Sequence, residues 1–575
     1  MKKVFGIVYI LFFYSLATAQ PLVTMYEKSG GRSTATYFEC IRYYEMLSKK
    51  FPSIVIKKFF STDAGYPLHL VLFSPDNNFD VAKWQKEKVI ILVNNGIHPG
   101  EPDGIDASMM LVRDLATGKI KAPKNVAIAF IAVYNIGGAL NRNTYSRVNQ
   151  QGPESYGFRG NAQNLDLNRD FTKNDSRNAK AFASLYHYLK PTIFIDNHVS
   201  DGADYQHTMT LLSTQQSKLG GKVGEFLHST FEPALYGNMK GKKWPMCPYV
   251  NFEAANPETG FVAFYDPPRY STGYTSLFQT IGFMPETHML KPYEQRVQAT
   301  YALMQAMIEE SAKRVPEMIE AKKAAEKQVQ QQTKFFLGWT VDSSRLDSIN
   351  FLGYDTAVKT SEVTGLQRYY YDHSKPFNKQ IKFYNYFVGT NLITAPTAYI
   401  IPQGWHDVIE ILKLNQVTME QMTKDTSIDV EAYRIEEYKS ASRPYEKHHK
   451  NNDIKTSTKK ETIRFLKGDY IIYCNQPAKR YLVEMLEPKG EDSFFTWNFF
   501  DGILQQKEGY SDYRWEDVAA EYLKQHPEVK QLLEEKKKAD TAFAASSPAQ
   551  LNFVYKHSPY YEPAHLRYPV YRLVK

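Results

Sequence analysis

Two histidines, two glutamates and one Asp-x-Asn-Arg cluster in this sequence have the types and spacing to act together. In the segment HPGE, Pro99 and Gly100 separate His98 from Glu101. Pro and Gly form tight turns, so the imidazole and the carboxylate can converge on one ion. Taken alone, His-x-x-Glu is common by chance. A second histidine, His198, follows a short apolar run in TIFIDNHVS. Two His and one carboxylate, with a fourth position left for water, are the usual ligands of catalytic zinc. Zinc there would polarise a carbonyl and lower the pKa of its bound water. The three cysteines, Cys40, Cys247 and Cys474, are far apart and form no Cys-x-x-Cys pair. They allow one disulfide but no disulfide framework, so a metal site has to be built from His and carboxylates.

Between the two histidines lies NAQNLDLNRDF, with Asp166, Asn168 and Arg169. A guanidinium beside an amide can grip a carboxylate through several charge-assisted hydrogen bonds. Further on, the apolar stretch IGFMP leads into Glu286. A carboxylate in partly apolar surroundings has a raised pKa, which suits proton shuttling near neutral pH. His288 stands two residues later and would point to the same side of a strand; it reads as a packed or solvent-facing side chain. Asp204 and His207 read as loop residues rather than a second metal site. His448 and His449 read as solvated residues of a basic segment.

The elements that must position these groups alternate. Residues 89–93 (VIILV), 126–133 (VAIAFIAV) and 192–196 (TIFID) are apolar runs of strand length. Residues 103–115 carry Ile105, Met109, Val112 and Leu115 at helical spacing, and 176–189 read as a helix stopping before Pro191. Such alternation predicts an α/β fold: a mixed, mainly parallel sheet with helices on both faces. His98, Glu101 and His198 then lie just past strand C-termini, the edge where open α/β sheets bind ligands. Residues 296–333 read as one long helix or two, broken at Pro316. Past residue 330 the alternation loses its regularity, which predicts a C-terminal α/β or β-rich accessory region. Within it, 439–462 read as an exposed polar and basic loop, 470–473 as a strand, and 515–533 as a helix.

The chain has 575 residues, enough for two or three domains. Its start has the layout of an export signal: Lys2 and Lys3, an apolar run over 4–16, and the small-x-small site Ala17-Thr18-Ala19 before Gln20. The expected organisation is a signal peptide at 1–19, a catalytic domain at 20–330 and accessory sequence at 331–575. The mature protein is expected to be periplasmic or extracellular, without a membrane span. Removing Lys2 and Lys3 lowers the formal charge from +8 to +6. That is no concentrated basic stripe, so a nucleic-acid partner is not expected.

HPGE, DLNRDF, DNH and PETH occur in this order over residues 90–300, and the chain resembles the zinc carboxypeptidases of the carboxypeptidase A type. The stretches GDYIIYCNQPAKRYLVEMLEP and FFTWNFFDGILQQKEGYSDY resemble tails of large bacterial secreted members of that group. The resemblance implies one zinc ion held by His98, Glu101 and His198, with Asp166 orienting a zinc-bound imidazole. It implies that Asn168 and Arg169 bind the free C-terminal carboxylate of a peptide substrate, and that Glu286 is the general base. The family also has an oxyanion-stabilising Arg upstream of its Asn-Arg pair. Arg147 is the first choice here, with Arg142 and Arg159 as alternatives because the loop carries an extra segment, GPESYGFRG. Of the two tyrosines in PPRYSTGY, Tyr270 is preferred over Tyr274 as the family's mobile Tyr, and Arg269 beside it is either structural or in touch with substrate. Two other readings stay open: a zinc amidase or peptidase acting on cell-wall peptides or acylated amino acids, and a non-catalytic peptide-binding homologue.

Overall fold

The structure, a computed structural model, describes residues 22–252 and 259–574. The expected export segment at 1–19 lies outside the described residues. Among the described residues, ten strands precede residue 300: β1 (Ile54–Ser61), β2 (Pro67–Phe73), β3 (Val89–Asn94), β4 (Val126–Ile131), β5 (Ile193–Asp196), β6 (His198–Ser200), β7 (Met209–Ser213), β8 (Cys247–Pro248), β9 (Phe261–Val262) and β10 (Ile281–His288). All but β9 form one nine-stranded sheet in the order β1-β2-β4-β3-β5-β10-β7-β8, with β6 paired to β10. Its centre is parallel, β4-β3-β5-β10. Antiparallel pairs flank that centre, β1-β2-β4 on one side and β10-β7 on the other.

The central strands read as unbroken apolar runs because helices cover both faces. Val89, Ile91 and Val93 of β3 point into one core, with Met109 and Val112 of helix Asp103–Ala116 and Leu303 and Met307 of helix Tyr293–Lys313. Ile90 and Leu92 point into the other, with Phe182, Leu185 and Tyr186 of helix Arg177–Leu189. Ser176 caps that last helix, its hydroxyl accepting the Ala179 N–H at 3.0 Å. The long helical segment divides as expected, into Tyr293–Lys313 and Val315–Gln331. Pro316 lies in the first turn of the second helix, where a missing N–H costs nothing.

The C-terminal part adds β11 (Lys334–Val341), β12 (Asp347–Thr360), β13 (Gln367–Tyr384), β14 (Phe387–Thr394), β15 (Ala398–Ile401), β16 (Glu420–Gln421), β17 (Thr426–Ser440), β18 (Asn451–Phe465), β19 (Tyr470–Tyr473) and β20 (Tyr571–Leu573). Six of these form a sheet in the order β16-β19-β15-β20-β17-β18. Its core includes Tyr399, Leu412, Tyr481 and Phe494, and Leu277 from before residue 300 packs into it. The strand β9 pairs with β13. The region is therefore strand-rich and docked along the first part of the chain.

Three expectations change. Residues 439–462 are not an exposed loop; they take in the end of β17, a short turn and most of β18, an antiparallel ribbon. Glu431 faces Lys460 and Glu437 faces Lys455 across it, cross-strand pairs that suit two wet faces. His448, in the turn, is buried rather than solvated, whereas His449 is exposed. Residues 515–533 fall in two helices, Asp512–Gln525 and Pro527–Ala539, parted at Pro527. All three cysteines are buried and unpaired. Among the described residues no helix is long and apolar enough to cross a membrane.

Candidate metal centre and carboxylate clamp

The parallel centre of the sheet brings the predicted residues to one edge. His98 and Glu101 follow β3, His198 opens β6, and Glu286 lies on β10 directly opposite His198. One ligand atom from each of His98, Glu101 and His198 lies within 4.8 Å of the others, and all three side chains are buried. The His98 Nδ1 is 3.1 Å from Glu101 Oε1, and the His198 Nδ1 is 3.1 Å from Glu101 Oε2. The outward nitrogens meet other carboxylates. His98 Nε2 lies 2.9 Å from Asp166 Oδ1, and His198 Nε2 lies 3.2 Å from Asp196 Oδ2. Imidazoles that ligate a metal through one nitrogen commonly give the other N–H to a carboxylate, which fixes tautomer and ring orientation; His98 is bonded to Asp166 in this way, whereas His198 and Asp196 are close without hydrogen-bond alignment. A Cβ at Gly100 would fall 2.7 Å from Arg147 Nε and 3.1 Å from the Gly157 carbonyl, so it would press on the Arg147 guanidinium.

The donor set fits zinc. It consists of two Nδ1 atoms and one carboxylate, convergent and shielded, the N/O composition of catalytic zinc sites. Charge points the same way. Glu101, Asp166, Asp196 and Glu286 surround two imidazoles, with Arg147, Arg159 and Arg169 reaching Glu101 and Asp166 from outside. The His198 imidazole is held well above its usual pKa: burial lowers it, and Asp196 and Glu101 prevail. Burial would raise Glu101, but Arg147, His98 and His198 hold it well below the usual carboxylate range. Asp166 is likewise held low against burial, by His98, Arg159 and Arg169. Glu286 goes the other way. Burial pushes it up to about 8, with the charges of Glu101 and Asp196 adding to the effect and His198 opposing it. Its Oε2 is buried without a hydrogen-bond partner.

Asn168 and Arg169 lie on a single turn of 3-10 helix, Leu167–Arg169, opened by Asp166, whose Oδ1 accepts the Asn168 N–H at 2.9 Å. The Asn168 Oδ1 is buried and unpaired. The Arg169 guanidinium lies 4.3 Å over the Tyr270 ring and donates from Nη1 to the Asn168 carbonyl at 2.8 Å. Tyr270 thus lies against Arg169. Tyr274 does not: it is fully buried, and its hydroxyl donates to Asn415 Oδ1 at 2.6 Å. Arg269 is structural, donating to Asp492 Oδ1 at 2.9 Å.

Two of the three candidate arginines reach the centre. Arg147 Nη2 is 2.6 Å from Glu101 Oε1. Arg159 places Nε and Nη2 at 3.0 and 2.9 Å from Asp166 Oδ2, and Nη1 3.8 Å from Glu101. Arg142 instead donates to Ser155 and to the carbonyls of Thr34 and Ala35. His288 is a packed histidine against the Tyr205 ring, lowered by burial to about 4. Nor do Asp204 and His207 form a second metal site. Asp204 pairs with Lys291 and His373, and His207 bonds the Pro245 carbonyl and the Leu352 N–H.

Sequence reasoning missed Asp196, although DNH displays it two residues before His198. It also missed Tyr445 and Glu446, from the turn between β17 and β18. The Tyr445 hydroxyl accepts from Arg169 Nε at 2.9 Å, and Glu446 Oε2 accepts the Asp166 N–H at 2.8 Å. No local signal marks those two, because only the distant fold brings them here.

The zinc carboxypeptidase family model matches residues 40–217. No curated protein is a significant match to the chain. Among solved structures, a metallo-carboxypeptidase from Burkholderia cenocepacia aligns at 14% identity and a TM-score of 0.36, covering 48% of this chain and 69% of that one. Carboxypeptidase A from Helicoverpa armigera aligns at 13% identity and 0.35, covering 48% and 74%. Bovine thrombin-activatable fibrinolysis inhibitor, solved with a tick carboxypeptidase inhibitor, aligns at 14% and 0.37, covering 50% and 98%. Over residues 40–217 the chain is thus similar to the zinc carboxypeptidase family, and the His-Glu-His centre at the sheet edge is consistent with that family's zinc.

Proposed function

We propose that the protein is an exported metallocarboxypeptidase that removes residues from the C-termini of peptides. The observation that carries this reading is Glu286: a buried carboxylate with an unpaired Oε2, in register with the ligand His198. Zinc held by His98, Glu101 and His198 supplies a Lewis acid for the scissile carbonyl and acidifies water. Glu286 then takes a proton from the attacking water at Oε2 and delivers it to the leaving amine. Its raised pKa keeps the two proton transfers close in energy. The Arg169 guanidinium and the Asn168 side-chain amide, which donates through its Nδ2–H, flank the place for the terminal carboxylate. The Tyr270 ring backs the guanidinium there, and Arg147 meets the charge that develops on the carbonyl oxygen. Export rests on the layout of residues 1–19 and is read from the N-terminus of the protein in culture fractions; Met1 retained there would refute it.

The deciding experiment incubates a mixed peptide library with the zinc-loaded protein, with Glu286→Gln and with a chelated sample, and reads the products by mass spectrometry. Single C-terminal residues should disappear in the first sample alone. Glu286→Gln should keep its zinc and lose on the order of 10³-fold or more in kcat, since it removes proton transfer from both halves of the reaction. Intact peptides in all three samples, with zinc bound, would sink this reading and move the search to cell-wall peptides or acylated amino acids.

A further inference from the structure

The turn between β17 and β18 belongs to a part of the chain with no catalytic group, yet it lies on the carboxylate clamp. Tyr445 and His448 pair through their backbones, Tyr445 N–H to His448 O at 2.8 Å and His448 N–H to Tyr445 O at 3.1 Å. Only Glu446 and Lys447 remain between them, with φ of +49° and +76°. Left-handed backbone at both central positions of a two-residue turn is where Asn-Gly or Gly-Gly is cheapest. Here the chain keeps two residues with long side chains, at a conformational cost that glycine would not carry.

The turn is anchored. His448 Nε2 is 2.8 Å from Asp175 Oδ2, and its Nδ1 is 2.6 Å from Asn498 Oδ1. The Tyr445 ring stacks on Trp497, 6.0 Å between centroids and 15° from parallel. What the anchored turn touches is specific. The Tyr445 hydroxyl takes the Arg169 Nε–H, and the Glu446 carboxylate takes the Asp166 N–H at the head of the turn that carries Asn168 and Arg169. Arg169 is thereby held on three sides: Tyr270 under its plane, the Asn168 carbonyl on Nη1 and Tyr445 on Nε. Its Nη2 has no partner among the described residues. A guanidinium fixed in this way loses less freedom when it binds a carboxylate.

We propose that Tyr445 and Glu446 are positioning residues of the substrate site, so that the C-terminal region sets how strongly the enzyme favours a free terminal carboxylate. The inference rests on the reading of Arg169 as the clamp. Its test compares equilibrium binding of a short peptide acid with binding of the same peptide as its C-terminal amide. Both are measured on zinc-loaded, full-length Glu286→Gln, which does not turn them over. The ratio of the two dissociation constants reports the clamp alone. Tyr445→Phe keeps the stacked ring and should cut the ratio severalfold, by weakening the acid and leaving the amide unchanged. Glu446→Ala should do the same, and Glu446→Gln, which can still accept the Asp166 N–H, should restore most of it. Acid and amide weakened together would mean a merely structural turn and would overturn the proposal. So would a ratio left intact in both variants. If the parent protein itself does not distinguish acid from amide, Arg169 is no clamp, and this inference falls with the reading beneath it. Tyr445 is 39% exposed, so its substitution should leave the melting temperature unchanged.

Discussion

At the scale of single residues, the choice between Arg147 and Arg159 divides the chemistry from its scaffolding. Arg159 is the more exposed, with 45% of its side chain open, and it commits two N–H groups to Asp166. Arg147 is 13% exposed and reaches Glu101 with one nitrogen. Charge stabilisation in a transition state is strongest from a preorganised, water-shielded donor, and losing one such donor costs about 3 kcal/mol, or roughly 10²–10³ in kcat. Arg147→Ala should therefore lower kcat by about two orders of magnitude with KM little changed. Its zinc content should hold, because removing a cation beside a ligand does not weaken metal binding. Arg159→Ala should act more mildly and mainly through the Asp166 and His98 that it braces. Steady-state kinetics and zinc content of both variants check this, and the opposite ranking would transfer the oxyanion role to Arg159.

At the scale of elements, the two parts of the chain are tied at the point where the clamp is built. Asp492 is buried and takes both the backbone N–H and the guanidinium of Arg269, at 2.8 and 2.9 Å, and the Trp497 indole N–H at 3.2 Å. Arg269 immediately precedes Tyr270, the ring beneath Arg169. Asp492→Asn keeps the shape and removes the charge, leaving a mostly buried guanidinium under-compensated. The expected loss is about 2 kcal/mol, below the usual figure for a broken buried pair because 17% of the Arg269 side chain meets solvent. Denaturant unfolding measures it, and a change under 0.5 kcal/mol, roughly the range of an ordinary surface substitution, would show that the tie is slack.

Elements also explain which parts of the molecule could be read in advance. The apolar runs at 89–93, 126–133 and 192–196 became β3, β4 and β5 because both faces of each are covered, so no alternation dilutes the signal. HPGE and DNH fall at strand C-termini, where parallel order dictates that they meet. The ribbon β17–β18 gave no such signal. Both its faces are largely wet, its residues are Lys, Glu, Thr and Ser, and its pairing is a matter of cross-strand partners up to 39 residues apart, such as Thr426 and Phe465. Without that ribbon, His448 looked like one more polar residue, and Tyr445 could not be placed at Arg169.

At the scale of the whole molecule, two histidines make the docking of the C-terminal region sensitive to acid. His207 follows β6, and its ring bridges the Pro245 carbonyl at 2.9 Å and the Leu352 N–H of β12 at 3.1 Å. Only a neutral imidazole can donate to the first and accept from the second. His187, on helix Arg177–Leu189, lies 3.2 Å from the Tyr274 hydroxyl and 3.4 Å from Asn415 Oδ1, just past helix His406–Leu414. Burial lowers both to about 4. A folded-state pKa below the unfolded value of 6.5 gives stability that is complete above pH 6.5 and is lost as pH falls toward 4. Each group should forfeit about 2 kcal/mol by pH 5. Thermal melts at pH 7.5 and pH 5 should show this drop, with the C-terminal region loosening at least as early as the zinc domain. His207→Gln offers a donor and an acceptor that do not titrate. It should be the less stable protein at pH 7.5 yet lose about 2 kcal/mol less on acidification. Parallel losses in the two proteins would mean that protonation of His207 is not what acid does to this interface.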